Sequence, residues 1–198
     1  MDTITPQSWT YIGIAVVLAL LAVAAWSYYR NKQSDRLKKQ FGAEYGRTVD
    51  DLGSRAKAES DLKARENRVE HLAIVALAPA EVQRFSLAWA ALQGRFVDNP
   101  KGVVAQADQL VRDVMAKRGY PVEDFEHRAA DISVNHPSVV EHYRAAQAIA
   151  VRDGRGEADT EEQRQAVVHY RALFDELLEV RGVAQPLPVP APQLTARA

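Results

Sequence analysis

The chain has 198 residues, 25 Lys and Arg against 26 Asp and Glu, a net charge of −1 and no cysteine. That balance argues against a nucleic-acid-binding protein, and the missing thiols exclude disulfides, thiolate metal sites and a cysteine nucleophile. With 47% hydrophobic residues the chain can bury one domain-sized core.

Residues 9–29, WTYIGIAVVLALLAVAAWSYY, carry no charge and as a helix would rise about 31 Å, close to the roughly 30 Å of a bilayer's hydrocarbon core. They predict a single transmembrane helix, with residues 1–8 as a short extracytoplasmic N-terminus. Trp9 and Tyr11 at one end, and Trp26, Tyr28 and Tyr29 at the other, have the amphipathic rings that anchor a helix at the headgroup level. A signal peptide cleaved after Ala24 competes with this reading, but the leader holds Asp2 and no Lys or Arg. Arg30, Lys32, Arg36, Lys38 and Lys39 follow the apolar run. By the positive-inside rule they place the N-terminus outside and the rest of the chain in the cytoplasm, and they could also hold anionic lipid headgroups.

Residues 30–70 read as a basic juxtamembrane segment and a charged helical spacer. Its thin apolar row, Leu37, Phe41, Tyr45, Val49, Leu52 and Ala56, steps by three and four. Gly42, Gly46 and Gly53 predict a break or bend. The row is expected to pack on the chain's own domain, with a homodimer through the spacer as the alternative to a monomer. Residues 71–77, HLAIVAL, suggest an extended connector or a short strand.

A helical bundle is expected over residues 71–182. Pro79 opens one helix and Pro100 or Lys101 the next, which Gly119-Tyr120-Pro121 stops. A short helix follows over about residues 123–132, and Asn135-His136-Pro137 reads as the start of another. The last helix is expected to open on a capping box of Thr160 with Gln163 and to end at Gly182. Residues 183–198, with prolines at 186, 188, 190 and 192, predict a flexible tail. The fold class expected is therefore all-α, with an N-terminal transmembrane helix, a spacer, a bundle and a Pro-rich tail.

Four blocks, FGAEYGRTVDDLGSRAKAESDLKARENRVE, RFSLAWAALQGRFVDNP, RGYPVEDFEHRAADISVNHPSVVEHYRAA and AVVHYRALFDELLE, resemble an uncharacterised bacterial family of small single-pass membrane-anchored helical proteins. The resemblance spans about residues 36–179. It implies a bacterial inner-membrane setting and no particular chemistry.

No catalytic set is found in the sequence. A di-iron bundle needs Glu-x-x-His pairs, which are absent, and Glu123 with His127, or the neighbours Glu141 and His142, read as solvated helix faces. His136 reads as part of a helix start, and His169 lies between core positions. There is no Gly-x-Ser-x-Gly elbow for Ser133 or Ser138. Gly154-Arg155-Gly156 lacks the lysine and the preceding strand of a phosphate loop. Phe85, Trp89, Phe96 and Phe174 read as core. No catalytic, metal-binding or cofactor-binding residue is expected, and no cofactor. The function expected is a non-enzymatic, membrane-tethered helical interaction or scaffold protein, with the lipid bilayer and an unknown protein as partners. An unrecognised enzyme or small-molecule-binding domain is the alternative.

Overall fold

The computed structural model describes the backbone of residues 6–96 and 98–178, and side chains from residue 16 on, Lys101 excepted. The expected tail, and the end of the last helix toward Gly182, lie outside these residues. All the described secondary structure is helical: α1 (Pro6–Phe41), α2 (Ala43–Leu52), α3 (Arg55–Glu70), α4 (Pro79–Phe96), α5 (Pro100–Arg118), α6 (Phe125–Asn135), α7 (Val140–Gly154) and α8 (Thr160–Leu177). The all-α class is therefore observed. Residues 73–78 form no strand and run as an extended connector. The chain divides into two compact units, Met1–Asn67 and Arg68–Ala198.

In the first unit, α1 ends where Gly42 takes φ 54°, and α2 ends on Gly53 at φ 61°, both left-handed values that glycine adopts without a side-chain clash. Gly46, by contrast, stays inside α2. Leu37, Phe41, Tyr45, Ala58 and Leu62 are buried. The expected apolar row is thus only partly a seam: Val49 is half-buried, while Leu52 at 42% exposure and Ala56 face solvent. The row stops because α2 stops at Gly53, and Ala58 and Leu62 of α3 supply the buried positions that follow. Arg36 pairs with Glu66 at 2.7 Å, and Arg65 with the buried Glu44 at 3.0 Å.

The second unit is a bundle in which α8 packs on α5 and α7, and α4 packs on α5. The α8 sequence explains its central place: Ala166, Val167, Tyr170, Leu173, Phe174 and Leu177 recur at three- and four-residue steps and are buried. Trp89 of α4 stacks on Phe174 with ring centroids 4.6 Å apart, so Trp89 is core, as its spacing predicts. Gly119 closes α5 at φ 93°, and its backbone passes so close to the connector that a Cβ there would lie 2.5 Å from the Ala73 carbonyl oxygen. Beside it the Val75 N–H donates to the Arg118 carbonyl at 2.9 Å, and the Arg118 guanidinium donates to the Leu177 carbonyl at 2.8 Å near the end of α8.

Two helix starts differ from the sequence reading. His136 is the C-cap of α6, its N–H donating to the Ile132 carbonyl, and α7 begins only at Val140 after a turn. The box that opens α8 is Asp159 with Glu162, one position ahead of Thr160 with Gln163. A carboxylate acceptor at the cap also suits the positive end of the helix dipole better than a hydroxyl.

Candidate functional site

The most unusual surface of the protein is on α1. Val16, Val17, Leu18, Leu20, Leu21, Val23, Trp26, Tyr28 and Tyr29 are all between 52% and 73% exposed. Such a run carries no charged side chain, and contiguous exposed apolar surface of this size is unusual on a protein. Among the described residues no helix is long and apolar enough to cross a membrane. Beyond the apolar run, α1 continues into the charged residues from Arg30 to Lys39. The expected transmembrane helix, the single-pass membrane assignment and the inner-membrane placement with a cytoplasmic domain are corrected accordingly. Of the expected interface anchors, Trp9 and Tyr11 have side chains outside those described. Trp26, Tyr28 and Tyr29 are exposed, with the two tyrosine rings edge to face at 6.3 Å.

The basic residues after the apolar run lie on the same helix. Arg30 sits over the Trp26 ring at 5.4 Å and Lys38 over the Tyr45 ring at 5.8 Å. Arg30, Lys32, Arg36 and Lys39 line an open groove of about 1240 Å³ in the first unit together with Trp26 and, from α3, Lys63. One of its lining residues, Glu59, centres a polar cluster that the sequence did not announce. Tyr45 Oη donates to Glu59 Oε1 at 2.9 Å, Arg55 Nε donates to the same oxygen at 2.9 Å, and Ser34 Oγ donates to it as well. Burial by itself would push the Glu59 carboxyl up, but the hydrogen bonds from Ser34, Tyr45 and Arg55 bring it below its ordinary value. Burial and the bond to Glu59 push the Tyr45 hydroxyl up.

In the second unit the buried polar groups are mostly structural. Arg128 Nε donates to the Tyr143 hydroxyl at 2.8 Å, and the buried Ser133 Oγ donates to the Ala130 carbonyl at 2.6 Å. Asp108 pairs with Arg112, while its Oδ1 is buried without a hydrogen-bond partner. Asp108, Gln147 and Asp153 line a cavity of about 310 Å³ between α5 and α7. The Tyr170 hydroxyl donates to Gln147 at 3.3 Å, and burial followed by the Asp108 charge pushes Tyr170 well up.

The structure brings Glu123, Asp124 and His127 together on an exposed surface. Asp124 there is the N-cap of α6, accepting from the His127 N–H at 3.1 Å and lying 2.5 Å from its Nδ1, so its carboxylate already has a structural use. Glu141 and His142 are both exposed, and His142 of α7 meets His169 of α8, Nδ1 to Nδ1, at 2.9 Å. Burial, then the neighbouring His142, push the His169 imidazole down. A signal for this contact exists in the sequence, because the tetrapeptide His-Tyr-Arg-Ala occurs at residues 142–145 and again at 169–172. The two tyrosines meet edge to face in the core at 6.3 Å, which sets the two histidines side by side at the surface. Gly154 is the last residue of α7, and Arg155 and Gly156 form an exposed turn with Gly156 at φ 73°.

Compared with protein-family models, curated proteins and solved structures, the chain matches none. The functional reading therefore rests on this chain's own residues.

Proposed function

We propose that the protein is a helical interaction module that engages another protein through the exposed apolar length of α1. The observation that carries this is the row of nine large apolar side chains over residues 16–29, each more than half exposed. Covering such a surface removes apolar area from water at about 25 cal/mol per Å², a drive that no charged group on that stretch opposes. The groove just beyond the row adds orientation. Its cations, Arg30, Lys32, Arg36, Lys39 and Lys63, outnumber its acids, Asp35 and Glu59. The partner fitted by both features is an amphipathic helix with an apolar face and acidic residues at the end that meets the groove. A photo-crosslinking residue at Leu20, with one at the exposed Leu87 of α4 as control, tests this in the full chain. A discrete protein adduct from position 20, weakened by Arg30→Glu with Lys39→Glu, is expected. Adducts with lipid only, or equal adducts from both positions, would overturn it.

A second reading, a binder of small cationic molecules, is favoured by the buried Asp108 oxygen at the wall of the cavity. It requires that simple alkylamines raise the melting temperature of the full chain and that Asp108→Asn abolishes the rise.

A further inference from the structure

We propose that His142 and His169 form a two-histidine site for a first-row transition-metal ion, Cu²⁺, Ni²⁺ or Zn²⁺, that ties α7 to α8. Their Nδ1 atoms lie 2.9 Å apart and their ring centroids 5.1 Å apart, with the ring planes at 32°. Two imidazole nitrogens, each about 2.0–2.1 Å from one ion, are separated by about 2.9 Å at a right angle and about 3.4 Å at the tetrahedral angle. The observed spacing is at the narrow end of that range, which suits adjacent positions of a tetragonal Cu²⁺ or Ni²⁺. His142 is exposed and His169 half-buried, so an ion in solution reaches the pair.

The rings now face each other nitrogen to nitrogen, one Nδ1–H donating to the other Nδ1. For both to ligate, the donating ring moves its proton from Nδ1 to Nε2 and each ring swings its lone pair toward a common point. Both rings remain neutral, no proton is released overall, and water fills the remaining positions. The helices themselves need no movement. Tyr143 and Tyr170, each next in sequence to its histidine, are fully buried and in contact, so the spacing of α7 and α8 is set before the ion arrives. The exposed Glu123, Asp124 and His127 group is the weaker competitor, because an ion there would take the Asp124 carboxylate from the N-terminus of α6.

The test titrates the full chain with Cu²⁺, Ni²⁺ and Zn²⁺ separately, by calorimetry and by thermal melting, for the parent protein and for His142→Gln, His169→Gln and His127→Gln. One ion per chain and a raised melting temperature are expected. His142→Gln or His169→Gln should weaken binding beyond the roughly tenfold to hundredfold loss caused by removing a hydrogen-bond partner of a metal ligand, and His127→Gln should leave it unchanged. Electron paramagnetic resonance of the Cu²⁺ form should show two imidazole nitrogens, a readout that does not depend on any variant. Absence of binding, loss of binding on His127→Gln alone, or a spectrum with fewer than two imidazole nitrogens would each overturn the proposal.

Discussion

At the scale of single residues, the chemistry of this chain is concentrated in a few buried polar atoms. Glu59 accepts three side-chain hydrogen bonds on one oxygen, and its carboxyl is held below its ordinary value in the folded state. A folded value below the unfolded one means that Glu59 contributes stability above the ordinary glutamate value of about 4.3 and that this contribution is lost as pH falls through the lower folded value. Amide protection factors in residues 34–62, corrected for the intrinsic exchange rate, should therefore fall on acidification below about pH 4, and Glu59→Gln should flatten that dependence. An unchanged pH profile in the variant would show that the cluster is incidental. Gly119 is the clearest case of a residue dictated by geometry, with φ 93° and the Ala73 carbonyl in the space a Cβ would need. Gly119→Ala should cost the second unit about 1–3 kcal/mol or more in urea unfolding. The stop at Gly119 was legible from the following Tyr-Pro. The approach of Ala73 was not, since nothing in the local sequence says which distant carbonyl will arrive.

At the scale of elements, the helix boundaries written by glycine and proline were readable, and those written by overlapping polar residues were not. Pro79 and Pro100 open α4 and α5 as their fixed φ predicts. The stretch Asp159-Thr-Glu-Glu-Gln163 offers two capping boxes one residue apart, and propensity alone does not choose between them. In the structure, Asp159 accepts from the Glu162 N–H at 2.8 Å, and Glu162 accepts from the Asp159 N–H at 3.0 Å. Asp159→Ala should then cost about 1 kcal/mol of thermal or urea stability and Thr160→Ala only a few tenths. The reverse order would restore the first sequence reading. His142 and His169 were individually unremarkable, because a residue next to a core tyrosine is ordinarily a solvated neighbour. Only the repetition of His-Tyr-Arg-Ala, with the two tyrosines in contact, turns them into a pair. Leu52 makes the opposite point: its spacing put it on a seam, and α2 ends beside it. Leu52→Asp should leave the melting temperature within about half a kcal/mol equivalent of the parent, as for other surface changes.

At the scale of the molecule, the all-α class followed from helical spacing along most of the chain, whereas the membrane placement followed from one uncharged run, its flanking aromatics and the basic residues after it. Among the described residues no helix is long and apolar enough to cross a membrane, and the proposed role of the exposed run is contact with a partner protein. The central claim is that α1 provides the contact. Quantitative co-purification of the crosslinked partner with the full chain tests it most directly, comparing the parent with Leu20→Lys and Leu21→Lys on α1 and with Leu87→Lys on α4. The account predicts that the two α1 substitutions release the partner while Leu87→Lys retains it, with the helical melt of the second unit unchanged in all three. Equal retention by all variants, or release by Leu87→Lys alone, would contradict it.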